Sequence, residues 1–157
     1  MTLINFNLNG ESISKKISLS LGTRNLLDSI FFAKSNSLEY IVNNRFFLIL
    51  LDFKLVYSDL IPAFILNGRN VVTLEGLKKK SFYKHMQKIL LEDDFNFCSN
   101  CFESNILLFY YFLENEIVSK SDILGYRKSL KCNCMDVNTF LSLYLKAEEL
   151  YRKNGQC

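Results

Sequence analysis

The first residues alternate between apolar and polar side chains in a way that predicts a β-hairpin. Ile4, Phe6 and Leu8 recur at every second position, which is the spacing of one face of a strand. Asn9-Gly10 supplies the turn, because both residues tolerate a positive φ. The apolar residues expected on the returning strand are Ile13, Ile17 and Leu19.

A helix and two further strands are predicted after the hairpin. Thr23 is a suitable N-cap for the helix. The apolar positions of this helix recur at helical spacing: Leu26, Leu27, Ile30 and Phe31. The apolar segments 46–53 and 71–74 each predict a buried strand, the second ending at Gly76. A hairpin, a helix and more strands in this order indicate a β-grasp arrangement over residues 1–77.

From about Ser81 the pattern changes to that of helices. Residues 82–91 form one amphipathic segment, and residues 106–113 are almost entirely apolar, which is typical of a buried helix. A short helix is expected near Ile123. The last helix has one apolar stripe: Phe140, Tyr144, Ala147 and Tyr151. We therefore predict an α+β protein in which residues 78–157 form a four-helix bundle.

Composition and charge exclude several function classes. The 157 residues are 49% hydrophobic and 22% charged, which suits one ordinary domain or two small ones. A net charge of +3, with one short basic run at residues 78–80, does not predict nucleic-acid binding. The most apolar run, residues 46–51, is far below the roughly 20 residues of a membrane span. Without a secretory signal pattern, we expect a soluble cytoplasmic protein with no membrane partner.

The cysteines carry the candidate chemistry. Four of the five form the pairs Cys98-x-x-Cys101 and Cys132-x-Cys134. The thirty residues between the pairs, 102–131, are expected to form two antiparallel helices that bring all four sulfurs to one end. Each pair also precedes a helix, whose free N–H groups and partial positive charge favour thiolates.

Three interpretations of this constellation remain open from the residue pattern alone. Four thiolates suit a [2Fe–2S] cluster or a structural zinc ion, and a remnant that binds nothing is the third. The tight Cys132-x-Cys134 pair fits zinc less well, because zinc sites commonly use two C-x₂₋₄-C pairs. We expect Cys157 to be an uncoordinated terminal thiol. His85 is the only histidine, and the sequence predicts no catalytic residue.

Several short motifs occur in a specific order along the chain. They are Ile-Asn-Phe-Asn-Leu-Asn-Gly at 4–10, Leu-Gly-Thr-Arg-Asn-Leu-Leu-Asp at 21–28, Ser-Asp-Leu-Ile-Pro-Ala at 58–63 and Gly-Arg-Asn-Val-Val-Thr-Leu-Glu-Gly at 68–76. They resemble the opening hairpin, P-G-T-x-L-L-D, S-C-L-x-P-A and G-x-x-V-x-T-I-E-G of one family's small iron–sulfur subunit. That family is the xanthine dehydrogenase and aldehyde oxidase group of molybdenum hydroxylases. The cysteine pairs resemble its C-G-x-C and C-R-C segments.

The resemblance implies a plant-type ferredoxin domain followed by a four-helix domain, each with a [2Fe–2S] cluster. It also implies partner subunits that bind molybdopterin and FAD. The four paired cysteines would ligate the cluster nearest molybdenum. The ligand positions of the other cluster fall on Glu39, Asn44, Phe47 and Asp59. None of these is a cysteine, so we expect the first cluster to be absent.

Two hypotheses from different classes follow. The first is an electron-transfer subunit of a molybdenum-hydroxylase-type complex, carrying one [2Fe–2S] cluster and no active site of its own. The alternative is a non-redox structural or assembly subunit, with a vestigial or zinc-filled site. A zinc-stabilised binding module is a further possibility.

Overall fold

A computed structural model describes residues 1–35, 48–116, 119–130 and 132–153. The strands in these ranges are β1 (Thr2–Leu8), β2 (Glu11–Ile17), β3 (Leu48–Leu51), β4 (Lys54–Tyr57) and β5 (Asn70–Val72). The helices are α1 (Thr23–Ser35), α2 (Leu74–Leu77), α3 (Ser81–Glu92), α4 (Phe102–Glu114), α5 (Lys120–Ser129) and α6 (Val137–Lys153). Two 3₁₀ turns lie at Ser58–Leu60 and Ala63–Leu66. None of the described helices is long and apolar enough to cross a membrane.

The strands form one mixed sheet in the order β2-β1-β5-β3-β4. β1 pairs with β2 in the antiparallel direction and with β5 in the parallel direction, and β3 is antiparallel to both β4 and β5. The four apolar residues predicted on α1 are all buried in a cluster with sheet residues, as their helical spacing requires. The molecule is an α+β protein with a β-grasp half and a helical half, as the sequence predicts.

The first hairpin forms with the predicted turn, but its returning strand is shorter than expected. Asn9 and Gly10 have φ values of 54° and 90°. β2 ends at Ile17, and Leu19 lies beyond it with 63% of its surface exposed. The predicted cap is wrong as well. Thr23 is the first residue of α1, and its buried hydroxyl has no hydrogen-bond partner.

The apolar segment 46–53 contains a turn, where the sequence suggested one continuous strand. β3 ends at Leu51, and the chain reverses through Asp52 and Phe53, whose φ values are 47° and 66°. Phe53 is 73% exposed. A turn without glycine gives little signal in a sequence, so β4 was not predicted. Residues 46–47 lie outside the described ranges.

The predicted strand ending at Gly76 is also divided. β5 stops at Val72, and α2 begins two residues later. Asn9 marks the change of direction, because its side chain bonds both to the N–H and to the hydroxyl of Thr73, each at 2.9 Å. This contact joins residues 64 positions apart, which a local pattern cannot show.

The four helices α3 to α6 share one apolar core, and the stripe predicted on α6 is buried throughout. This core extends into the β-grasp half. Leu48 and Leu50 of β3 belong to it, together with Leu74 and Leu77 of α2. The division of the chain between residues 77 and 78 stays a prediction, and the packed surface continues across it.

Candidate metal centre

The first cysteine pair lies in the turn that leads into α4. The Cys98 carbonyl accepts hydrogen bonds from the N–H groups of Cys101 and Phe102, both at 3.1 Å. Cys101 occupies the N-cap position of the helix. Its carbonyl accepts bonds from the N–H and from the side-chain Nδ2 of Asn105, each at 2.9 Å. The backbone between the two cysteines is therefore fixed at both ends.

Aromatic rings support this turn. Phe97 is 7% exposed, and its ring centre lies 5.2 Å from that of Phe95, 6.2 Å from Phe102 and 6.3 Å from Phe109. These separations and the steep angles between the rings are those of favourable edge-to-face contacts. The residue preceding Cys98 thus anchors the turn in the helical core.

The second cysteine pair lies in the loop of residues 132–135, which we call the second cysteine loop. The residue after the loop, Asp136, caps α6: its carboxylate accepts bonds from the N–H groups of Asn138 (2.8 Å) and Thr139 (3.0 Å) and from the Thr139 hydroxyl (2.5 Å). The hydroxyl of Thr139 and these N–H groups lower the pKa of Asp136. The cap fixes the point at which the loop enters the helix.

A buried arginine joins the second cysteine loop to α5. Arg127 is 6% exposed, and its Nη2 donates to the carbonyl oxygens of Cys132 at 2.7 Å and Met135 at 3.3 Å. The guanidinium carbon stands 5.5 Å from the ring centre of Phe140 on α6. One side chain therefore contacts both ends of the loop and the following helix.

The fold brings together all four paired cysteines, hereafter the cysteine cluster. Their Sγ atoms all lie within 4.8 Å of one another. The close pairs are Cys98–Cys101 at 3.3 Å, Cys98–Cys132 at 3.4 Å and Cys101–Cys134 at 3.1 Å. Cys101 is buried, Cys98 and Cys132 are half-buried, and Cys134 is exposed. Within the described ranges, no other group of His, Cys, Asp and Glu side chains has this geometry.

The thiols do not ionise alike. Burial opposes ionisation of Cys98, but hydrogen bonds from Cys101, Cys132, Cys134 and the Asn100 backbone lower its pKa to about 7. Burial raises the pKa of Cys101, as do the hydrogen bonds of Cys134 and Cys98. Burial also raises the pKa of Cys132. Because a bound metal requires thiolates, metal binding here would release protons.

The donor set suits a soft metal centre. Thiolates select zinc or iron–sulfur clusters over hard cations. Four sulfurs around one zinc ion, each about 2.3 Å from it, would stand about 3.8 Å apart. The three close sulfur pairs, at 3.1–3.4 Å, are shorter than that value, so the side chains would move apart by about 0.4–0.7 Å to hold a metal.

The positions expected for the ligands of a first cluster are only partly described. Glu39, Asn44 and Phe47 lie outside the described residues, as does Cys157. Asp59 lies in the first 3₁₀ turn, where its carboxylate accepts bonds from Arg24 Nη1 at 3.3 and 3.2 Å.

Arg24 also forms an ion pair with Asp28, at 3.6 Å. Burial raises the pKa of Asp28, Arg24 lowers it, and the charge of Asp59 raises it further. Asp59 is therefore part of a partly exposed group of charges.

Sequence reasoning found the four cysteines and missed the groups that position them. Arg127 is followed by Lys128 in a polar segment, so it resembles an ordinary exposed cation. Asn105 lies within an apolar helix, where its bond to Cys101 has no signature beyond the spacing of four residues. No signal in the sequence distinguishes Arg127 from an exposed arginine.

Comparison with known proteins supports the fold but gives no close relative. No family model matches the sequence, and no curated protein matches it. Among solved structures, a chain of quinoline 2-oxidoreductase from Pseudomonas putida 86 is 18% identical, with a TM-score of 0.74 over 97% of this chain and 96% of that one.

Two aldehyde oxidoreductases match as well. The enzyme from Desulfovibrio desulfuricans ATCC 27774 is 17% identical, with a TM-score of 0.77 over 99% of this chain. The enzyme from Desulfovibrio gigas is 15% identical, with a TM-score of 0.76 over 99%. This chain spans 18% of the length of each. The fold expected from the sequence resemblance is thus confirmed, because this chain shares it with a quinoline 2-oxidoreductase chain and with two aldehyde oxidoreductases.

Proposed function

We propose that this protein is an iron–sulfur electron-transfer subunit of a molybdenum-hydroxylase-type oxidoreductase complex. The observation that carries the proposal is the meeting of four thiols from two distant segments within 4.8 Å. The ligands would be Cys98, Cys101, Cys132 and Cys134. The chemistry that a bound [2Fe–2S] cluster supplies is one-electron transfer.

The unequal exposure of the four ligands supports electron transfer to or from a partner protein. Cys101 is buried and Cys134 is exposed, so the cysteine cluster has one side open to the surface. A partner protein could approach that side closely. By the family resemblance, the partners are a molybdopterin-binding catalytic subunit and an FAD-binding subunit.

One cluster rather than two is part of the proposal. A first cluster would need thiolates at positions occupied in this sequence by Glu39, Asn44, Phe47 and Asp59. The carboxylate of Asp59 bonds to Arg24 instead.

The alternative is a structural or assembly subunit whose site holds zinc or no metal. The compact arrangement of the sulfurs supports this alternative, because sulfurs only 3.1–3.4 Å apart can all coordinate one metal ion. A two-iron cluster divides four cysteines between two irons and needs more room between the pairs.

Metal and sulfide content separates the two functions. We expect about two irons and two acid-labile sulfides per chain after anaerobic purification, with visible absorption and an EPR signal after dithionite. Cys98→Ser and Cys132→Ser should each lose both, whereas Cys157→Ser, the matched control, should lose neither. Zinc without sulfide would support the structural alternative, and a folded protein with neither metal would support a vestigial site.

Partnership needs its own test. The tagged chain, expressed in its native cells and captured under anaerobic conditions, should bring down molybdenum and flavin in stoichiometric amounts. Capture of the intact chain without either would contradict the proposed complex.

A further inference from the structure

We propose that Arg127 is a positioning residue for the cysteine cluster and supplies a fixed counter-charge to the metal centre. The proposal deepens the proposed function, and its positioning part applies to any metal that the four cysteines bind.

The hydrogen bonds of Arg127 restrain the second cysteine loop. Nη2 donates to the carbonyl of Cys132 and to that of Met135, which lie on either side of Cys134. The side chain is anchored in turn by its position in the last turn of α5 and by the Phe140 ring. A group that orients metal ligands from outside the coordination sphere commonly changes metal affinity 10–100-fold.

The charge of Arg127 lacks a carboxylate partner. Among the described residues, no Asp or Glu oxygen forms an ion pair with this guanidinium. A buried cation without a counter-charge is destabilising. Zinc or an oxidised [2Fe–2S] core carries two positive charges, so four thiolates leave the loaded site negative. The site would therefore supply the charge that Arg127 lacks.

The distance is short enough for this effect. The carbonyl oxygen and the sulfur of one cysteine are four bonds apart, so the guanidinium lies within about 8 Å of the Cys132 sulfur. Reduction adds negative charge to the site, and a nearby cation favours the reduced state.

Anaerobic titration of the metal-free protein with Co²⁺ tests the positioning part. Thiolate-to-cobalt absorption gives the affinity directly. We expect Arg127→Gln to weaken Co²⁺ binding 10–100-fold. Lys128→Gln makes the same charge change at the adjacent exposed position, and it should stay within about threefold of the unmodified chain. Equal affinities in the two variants would overturn the proposal.

Arg127→Lys separates charge from geometry. Lysine keeps the charge but lacks the planar fork, so Co²⁺ affinity should fall between those of Arg127→Gln and the unmodified chain. If Arg127→Gln does not fold, the Co²⁺ affinity of Arg127→Lys is compared with that of Lys128→Arg. Weaker binding in Arg127→Lys alone supports the positioning role, and equal affinities overturn it. Near-ultraviolet circular dichroism of each metal-free variant shows whether it is folded.

The counter-charge part is tested on the iron–sulfur form by redox titration followed by EPR. Arg127→Gln should lower the equilibrium constant of reduction about tenfold, equivalent to 59 mV for one electron, and Arg127→Lys should preserve it. An unchanged potential in Arg127→Gln would refute this part. A chain that binds Co²⁺ with the expected dependence on Arg127, but no iron or sulfide, would refute the proposed function and retain the positioning role. Failure to bind Co²⁺ at all would refute the positioning role, and absence of both iron and sulfide would refute the proposed function.

Discussion

Among the described glycines, Gly76 is the one whose surroundings leave no room for a side chain. A Cβ atom at this position would lie 2.3 Å from Asn9 Oδ1 and 2.7 Å from its Cγ. The Asn9 side chain cannot swing away freely, because it makes two hydrogen bonds with Thr73. The glycine is therefore required for space, and its φ is not in the left-handed region.

Gly76→Ala should lower the free energy of unfolding by about 1–3 kcal/mol, because the added methyl group forces Asn9 from its bonds. Gly125→Ala is the matched control. Gly125 lies in α5 with no atom within 4 Å of an added Cβ, so alanine should be neutral or stabilising by up to about 1 kcal/mol. Urea unfolding measures both. A Gly76→Ala variant as stable as the original chain would show that Asn9 is free to move.

At the scale of elements, the β3–β4 turn contains an unfavourable backbone conformation. Phe53 has a φ of 66° and is mostly exposed. A residue with a Cβ in this conformation costs roughly 1–2 kcal/mol. Its neighbour Asp52 is held in place, because the carboxylate accepts bonds from the Asn70 N–H at 2.9 Å and from Arg69 at 3.2 Å.

Phe53→Gly should raise the free energy of unfolding by about 1 kcal/mol, because glycine adopts this φ without steric cost. Phe53→Ala removes the same exposed ring but retains the Cβ, so it should give no such gain. Thermal unfolding of the two variants compares them directly. Equal stabilities would place the effect in the ring rather than in the backbone.

Elements with a repeated local pattern were predictable from the sequence, and those set by distant contacts were not. α6 was predicted because its apolar residues recur at helical spacing over about three turns. The turn at Asp52 has no glycine, and α2 begins where Asn9 holds Thr73 from 64 positions away. The site divides in the same way. The cysteine spacing predicted the cluster, but the burial of Arg127 depends on helices brought together by folding.

For the whole molecule, the helical core and the β-grasp half share side chains. Leu50 of β3 is 3% exposed and belongs to the core formed by α3 to α6. Tyr57 of β4 reaches the end of α5. The Tyr57 hydroxyl donates to the carbonyl oxygen of Ser129 at 3.0 Å and lies 3.1 Å from the Oγ of Ser129. We therefore expect the two halves to unfold together.

Leu50→Ala should lower the free energy of unfolding by about 2–5 kcal/mol. Hydrogen exchange should accelerate both in the β1–β2 hairpin and in α4, because the transition is shared. Leu60→Ala, at a site that is 78% exposed, should change stability by no more than about 0.5 kcal/mol. Acceleration confined to one half would show instead that the halves unfold independently.

The meeting of Cys98 with Cys132 also has a consequence for the unfolded chain. The two residues are 34 positions apart, and α4 and α5 lie entirely between them. A metal that holds both cysteines closes this segment into a ring. By the loop-entropy relation used for disulfides, such a closure lowers the conformational entropy of the unfolded state and raises its free energy by about 4 kcal/mol. Metal binding would then stabilise the folded chain as a covalent cross-link between these residues does, and removal of the metal would lower the free energy of unfolding.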